Sequence, residues 1–116
     1  MLVVHLKSVL PGHALTAVGT NSIATAAMLR AGADEGATGE NPVIHCAKHA
    51  DVIAGPLGIV VANALLGEVT PAMAEAVGAS PAIKVLIPVN KCNNTVVGVR
   101  DMSYTEYVHL AAKQIA

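Results

Sequence analysis

Apolar runs of strand length alternate along this sequence with longer segments of helical period, and turn residues separate the two kinds of segment. This alternation is typical of an α/β domain, in which helices join successive parallel strands. A chain of 116 residues is long enough to bury the core of one such domain. We therefore predict a single α/β domain over residues 1–116, with three layers: a mostly parallel sheet and helices on both of its faces.

The apolar period and the residues that interrupt it predict the positions of the elements. Helices are predicted at 2–10, 22–31 and 41–49, from the loop 55–58 to Gly67, over 70–78, and from 103 onward. Strands are predicted at 14–18, 35–37, 51–54, 83–89 and 95–99. If the polar turn 90–94 closes a hairpin, the last strand is antiparallel to its predecessor and lies at one edge of the sheet.

Capping residues mark the beginnings of three predicted helices. Asn41 precedes Pro42, and a proline at the first helical position costs no hydrogen bond. Thr70 also stands directly before a proline. Ser103 and Glu106 have the spacing of a capping box, in which each residue binds a free backbone N–H at the start of the helix.

Charge and composition exclude several classes of partner. Seven Lys and Arg residues stand against eight Asp and Glu residues, for a formal net charge of −1, so the chain lacks the positive field that nucleic acid requires. The charge-free stretch 52–67 is too short to span a bilayer. The first residues lack the pattern of a secretion signal, and the two cysteines lie in unlike contexts. We expect a cytoplasmic protein that binds neither nucleic acid nor membrane.

A parallel sheet of this kind usually begins with a strand that becomes central, whereas this chain begins with a predicted helix. One hypothesis is that a strand and its turn into the first helix precede Met1. The other is that the first helix packs on the sheet and the remaining strands lie next to one another. The sequence leaves both hypotheses open.

Four polar loops follow predicted strands, at 19–22, 38–41, 55–58 and 90–94. Ligands of open parallel sheets bind beyond the carboxyl ends of the strands, so we expect these loops to lie together. Three of them lead into helices, whose free N–H groups and dipole favour an anion. The candidate ligand-binding residues are Gly19, Thr20, Asn21, Ser22, Thr38, Gly39, Glu40, Asn41, Gly55, Gly58, Asn90 and Lys91. The alternative is that these residues form caps and turns with a local role alone.

Catalysis and metal binding are less well specified. Glu40 and Cys92 are the candidate catalytic residues, because Glu40 is placed to act as a general base and the neighbouring lysine would favour a Cys92 thiolate. His45 and His49 have the spacing of paired zinc ligands, but Cys46 stands where a zinc protease has glutamate. No second cluster of ligands accompanies them, so we expect no metal. The sequence leaves open whether the protein is an enzyme.

Three segments carry a resemblance to a known family: AVGTNSIAT at 17–25, AGADEGATGEN at 31–41 and IPVNKCN at 87–93. In these segments the sequence resembles an uncharacterised family of short bacterial Rossmann-like proteins, a domain of unknown function. The resemblance implies a Rossmann-like fold and suggests a nucleotide site, but it carries no activity and no assigned residues. Members begin with a strand and a Gly-Gly-Gly-Ile-Gly turn, to which this sequence has no counterpart.

Two functions remain open from the sequence. The first is binding of a phosphorylated or carboxylated small molecule, nucleotide-like, at the carboxyl edge of the sheet, with a nucleotide as the candidate cofactor. The second is a structural or interaction role through homo-oligomerisation, without ligand chemistry. The Ala-rich, nearly uncharged segments 22–31 and 58–66 support the second function, and we expect a homo-oligomer in either case.

Overall fold

A computed structural model of the chain describes residues 2–10, 12–89 and 93–115. The helices in these ranges are α1 (Leu2–Val9), α2 (Ser22–Arg30), α3 (Glu40–His49), the 3₁₀ helix Leu57–Val60, α4 (Pro71–Ala79) and α5 (Tyr104–Ile115). The strands are β1 (Thr16–Gly19), β2 (Glu35–Thr38), β3 (Val52–Pro56) and β4 (Ile83–Ile87). No helix of the described ranges is both long and apolar enough to cross a membrane.

The strands form two parallel pairs. β1 pairs with β2, with Thr16 opposite Glu35, and β3 pairs with β4, with Val52 opposite Ile83. The α/β fold class and the parallel pairing are confirmed. The described strands form two separate two-stranded sheets, however, in place of the one continuous sheet predicted.

The helices pack around these pairs. α2 lies against β1 and β2, α5 against β4, α3 against α4, and α1 against α5. The buried core is correspondingly divided into separate small clusters. One cluster contains Val3 of α1 with Ala17 of β1, another contains Ile87 of β4 with Val108 of α5, and a third surrounds Met73 of α4.

An ion pair attaches α1 to the β1–β2 side of the molecule. Lys7 Nζ lies 3.0 Å from Asp34 Oδ1, and the backbone N–H of Leu15 donates to Asp34 Oδ2 at 2.7 Å. The hydrogen bond from Leu15, followed by that from Lys7, holds the pKa of Asp34 below its usual value. The carboxylate therefore stays ionised at neutral pH and joins the end of α1 to the turn between α2 and β2.

Two of the three predicted caps are confirmed. The Thr70 hydroxyl accepts a hydrogen bond from the Met73 N–H at 3.2 Å. The Ser103 hydroxyl accepts one from the Glu106 N–H at 3.2 Å and contacts the Glu106 carboxylate. These bonds satisfy N–H groups that the first turn of a helix leaves free, so the sequence located both helix starts correctly.

The prediction that Asn41 caps the third helix is wrong. α3 begins one residue earlier, at Glu40, and its N-cap is Gly39 with φ of 105°. Glycine adopts this conformation readily, so the chain turns sharply enough at Gly39 for the helix to begin at once. Asn41 lies inside the first turn and is exposed. Pro42 is tolerated there because the first-turn N–H groups have no helical partner.

Two predicted elements are absent from the described residues. β3 extends through Pro56, and the segment 62–68 forms turns in place of the α-helix predicted up to Gly67. Left-handed φ values at Asn63, Leu65 and Leu66 are incompatible with a continuous α-helix. Residues 95–99 form no strand, because no strand of the described residues pairs with them and Gly98 turns the chain with φ of 87°; all five residues are exposed. The expected antiparallel edge strand is therefore wrong.

Smaller shifts occur at the strand ends. The first predicted strand, 14–18, is observed at Thr16–Gly19, so it includes the glycine expected to begin the loop. The fourth ends at Ile87 and not at residue 89. Pro88 has no N–H to donate to a neighbouring strand, which is consistent with the ladder ending before it.

Candidate functional site

The carboxyl ends of β1 and β2 meet, as expected for parallel neighbours. The register places Gly19 opposite Thr38, and the N–H of Gly39 donates to the carbonyl of Gly19 at 3.0 Å. The predicted loops 19–22 and 38–41 are therefore adjacent at one edge of this pair. This part of the predicted site is brought together as the sequence indicated.

Beneath these loops, strand β1 and helix α2 approach closely at Gly19. A Cβ on Gly19 would lie 2.3 Å from the Thr25 hydroxyl and 2.8 Å from the Thr25 backbone nitrogen. Thr25 is buried, and its hydroxyl lies 2.8 Å from that of Thr38 in a hydrogen bond. The role of Gly19 is thus to allow helix and strand to pack, while Thr25 and Thr38 join the two loops from below.

A carboxylate of the chain itself occupies the donors of the first loop. The Thr20 hydroxyl donates to Glu68 Oε1 at 2.7 Å, and Asn21 Nδ2 donates to the same oxygen at 2.9 Å. The hydrogen bond from Asn21, then that from Thr20, lowers the pKa of Glu68 below its usual value. The Asn21 side chain also caps α2, because its Oδ1 accepts from the Ala24 N–H at 2.9 Å. Thr20 and Asn21 therefore already form a carboxylate-binding pair.

The neighbouring loop presents the start of α3. No side chain of the described residues caps this helix at Gly39, in contrast to α2 and α4, which Asn21 and Thr70 cap. Glu40 and Asn41, the first two residues of α3, are exposed. The positive end of the α3 dipole thus opens at the edge that carries Thr20 and Asn21.

Other predicted site residues have different outcomes. Ser22 is the exposed first residue of α2. Gly55 lies inside β3 rather than in a loop, and a Cβ there would contact Ile59 at 3.1 Å. Gly58 is buried in the 3₁₀ helix. Close packing against Ile59 therefore accounts for Gly55 without a ligand.

The third part of the predicted site, Asn90, Lys91 and Cys92, lies outside the described residues. Whether these side chains join the loops around Thr20 stays a prediction, as does the catalytic role of Glu40.

The sequence did not indicate two residues of this edge. Glu68 follows the end of a predicted helix, and no motif links it to Thr20, which lies 48 positions earlier in the chain. Thr25 lies within the predicted helix 22–31, and the sequence gives it no separate role. The available sequence signal was a glycine at the end of β1 followed by a threonine in the first turn of the next helix, a combination that allows the strand and the helix to pack closely.

The histidine pair of α3 is arranged as its spacing predicts. The rings of His45 and His49 lie edge to face, with centroids 4.9 Å apart. Within the described residues, no three His, Cys, Asp or Glu side chains form a group that could hold a metal ion. A shallow depression of about 280 Å³ lies beside this helix, between α3 and α4, and its lining includes Ile44, Lys48 and Glu75. It lies away from the loops described above.

Comparison with known proteins assigns the chain a family without an activity. The family model "Domain of unknown function (DUF3842)" matches residues 1–116. No curated protein and no solved structure matches the chain.

Proposed function

We propose, from the premise that the chain belongs to this family of unknown function, that it binds a phosphorylated or carboxylated small molecule at the carboxyl edge of its strands. A nucleotide-like ligand is the class we favour. The contacts would come from the loops 19–22 and 38–41, with Asn90 and Lys91 supplied from the segment after β4. We assign this function to the cytoplasm.

The observation that carries the proposal is the binding of Glu68. Two neutral side-chain donors, Thr20 Oγ1 and Asn21 Nδ2, converge on one carboxylate oxygen at 2.7 and 2.9 Å. Neutral donors that converge on an exposed oxygen can accept a carboxylate or phosphate of a ligand in the same way. The uncapped start of α3 lies in the adjacent loop and adds a favourable dipole.

The arrangement has a consequence for affinity. A ligand anion that uses Thr20 and Asn21 must displace the Glu68 carboxylate, because both donors bind the same oxygen. Removing Glu68 should therefore strengthen binding, both by freeing the two donors and by removing a negative charge from the edge.

A thermal-shift screen tests the proposal directly. Nucleoside mono-, di- and triphosphates, dinucleotides, sugar phosphates and dicarboxylates would be added to the full chain and to Glu68→Ala. A ligand at about 100 times its Kd stabilises the folded state by roughly 2.7 kcal/mol, or about 11 °C for a chain of this size. The matched control is Glu75→Ala, which removes the same charge from the exposed face of α4.

The expected result is a shift with one of these compounds that is larger in Glu68→Ala than in Glu75→Ala. The absence of a shift in all three proteins would overturn the proposal. Equal shifts in the two variants would show that the ligand does not use the Glu68 position.

A second candidate function, assembly of identical chains, is favoured by exposed apolar side chains. Ile23 of α2 is 80% exposed, Val97 95% and Leu66 fully exposed. Exposed apolar side chains favour association, because contact with a partner removes them from water. Light scattering at micromolar concentration should then give an oligomer that Ile23→Ser or Leu66→Ser dissociates. A monomer would contradict this function.

A further inference from the structure

A shallow groove runs between helices α3 and α4, which pack against each other. Two adjoining depressions of about 170 and 280 Å³ form this groove. The residues that line both depressions are Ile44, Lys48, Ala76 and Ala79. At one end the buried hydroxyl of Ser80 donates to the Ala47 carbonyl at 2.6 Å, so a tertiary hydrogen bond fixes the end of α4 to α3.

The two walls of the groove differ in the size of their apolar side chains. α3 contributes Ile44, which is half-buried, whereas α4 contributes alanine at positions 72, 76 and 79. These three positions lie on one face of α4, because residues three and four apart are neighbours on a helix surface. The large side chain of an α3 wall and the small side chains of an α4 wall are complementary in shape when the walls belong to two chains that face each other.

The charges of the groove have the same arrangement. Lys48 lines the α3 wall and Glu75 lines the α4 wall. Both side chains are exposed, and no hydrogen bond or ion pair within the part of the chain that the structure describes involves either of them. One wall is therefore positive and the other negative, so the groove is complementary in charge to a second copy of itself.

A two-fold axis that runs along the groove satisfies both kinds of complementarity. Rotation about this axis places α3 of one chain over α4 of its partner, and the symmetry repeats each contact. Ile44 then packs on the alanines of the partner, and Lys48 of each chain approaches Glu75 of the other. A second copy thus supplies both the apolar surface and the charges that match each wall.

We propose that this groove is the interface of a homodimer, in which Lys48 pairs with Glu75 of the partner. The proposal rests on the assembly function, given above as the second candidate, and locates it on a surface other than Ile23 and Leu66. Helices of ten and nine residues present a face about 15 Å long and about 20 Å wide. Such a face is at the small end of specific interfaces, so we expect a dimer that dissociates on dilution.

Reversal of the two charges tests the pairing. Lys48→Glu and Glu75→Lys each place like charges opposite one another twice in the dimer, and each should weaken it by at least about tenfold. In an equimolar mixture of these two variants, opposite charges face each other again, so a heterodimer should form within about threefold of the natural affinity. Lys113→Glu in α5 is the matched control, because it makes the same charge change at an exposed helical lysine outside the groove.

Sedimentation equilibrium, from micromolar to submillimolar concentration, measures the dissociation constants, and circular dichroism verifies the fold of each variant. If a charge reversal prevents folding, Lys48→Gln and Glu75→Gln replace the pair. Each of these removes a charge without creating a repulsion and should weaken the dimer by about threefold, because exposed ion pairs contribute little individually and the dimer contains two.

The expected result is a natural dimer that both groove variants weaken, that Lys113→Glu leaves unchanged and that the mixture of reversed variants restores. A monomeric natural chain overturns this proposal together with the assembly function. An assembly that neither groove variant weakens overturns this proposal alone, and Ile23→Ser or Leu66→Ser then identifies the surface in use. If both reversed variants weaken the dimer and their mixture does not restore it, the pairing of Lys48 with Glu75 is wrong.

Discussion

Gly19→Ala is the substitution with the best-defined physical consequence. The added Cβ would lie 2.3 Å from the Thr25 hydroxyl, 2.8 Å from the Thr25 nitrogen and 3.0 Å from the Asn21 carbonyl oxygen. The hydroxyl cannot move away freely, because it is buried and shares a hydrogen bond with Thr38 at 2.8 Å. The other two atoms belong to the backbone of α2 and its cap, so the helix itself must shift.

The magnitude follows from these contacts. Forcing an extra methyl into a packed site costs roughly 1–3 kcal/mol, and a disrupted hydrogen bond costs about 1 kcal/mol. The lower entropy of alanine in the unfolded chain returns up to about 1 kcal/mol. We expect a net loss of about 2.5 kcal/mol in the free energy of unfolding, or about 10 °C in Tm, since the unfolding entropy is about 0.24 kcal/mol/K for a chain of this length.

Urea denaturation, followed by circular dichroism, measures the loss. Gly78→Ala in α4 is the matched control, because nothing lies within 4 Å of its added Cβ. It should be neutral or stabilise the protein by up to about 1 kcal/mol, since alanine favours the helix. In a Thr25→Ala background, Gly19→Ala should cost about 1 kcal/mol less but still destabilise, because the backbone contacts remain. A loss below about 0.5 kcal/mol for Gly19→Ala alone would refute this account of the packing.

Three further predictions concern other polar contacts. Ser80→Ala should reduce the free energy of unfolding by about 1–3 kcal/mol, because the buried hydroxyl donates to a carbonyl of α3 at 2.6 Å. Urea denaturation measures this loss, and an unchanged midpoint would contradict the prediction. Ser103→Ala should cost about 1 kcal/mol through loss of the α5 cap and lower Tm by about 4 °C, whereas Ser103→Asp should retain the stability. Hydrogen bonds from Asn21 and Thr20 lower the pKa of Glu68 in the folded protein below its ordinary value of 4.5. The contact therefore stabilises the folded state fully above pH 4.5, and this stabilisation is lost as the pH falls through the pKa of Glu68 in the folded protein. The NMR signals of the Asn21 side-chain amide should therefore titrate below pH 4.5 and become independent of pH in Glu68→Gln; a signal constant down to pH 2 in the natural protein would contradict the contact.

Local signals were sufficient for much of the fold. Thr70 and Ser103 begin their helices because a side-chain oxygen can satisfy a free N–H three residues further on, and that interaction depends on sequence spacing alone. The α/β class followed for a similar reason, because the alternation of apolar runs with helical periods is a local property of the chain. The failures occurred where local signals were weak or in conflict. At 95–99 the β-branched residues favour a strand, but a strand exists only where a partner supplies its hydrogen bonds.

The candidate site likewise has one part that the sequence predicts and one part that it does not. The meeting of loops 19–22 and 38–41 could be predicted, because parallel strands place their carboxyl ends at one edge and the sequence identifies both strands. The contact of Glu68 with Thr20 and Asn21 could not be predicted, because it joins residues nearly 50 positions apart through turns that no residue pattern specifies.

The sequence by itself therefore determined the class of the fold, most of the helices and the edge at which loops 19–22 and 38–41 meet, since these depend on elements that local patterns specify. The tertiary structure alone decided which donors of that edge are occupied, where glycine is required for packing, and that the strands divide into two pairs. These properties arise from contacts between distant segments, whose geometry depends on how the whole chain packs.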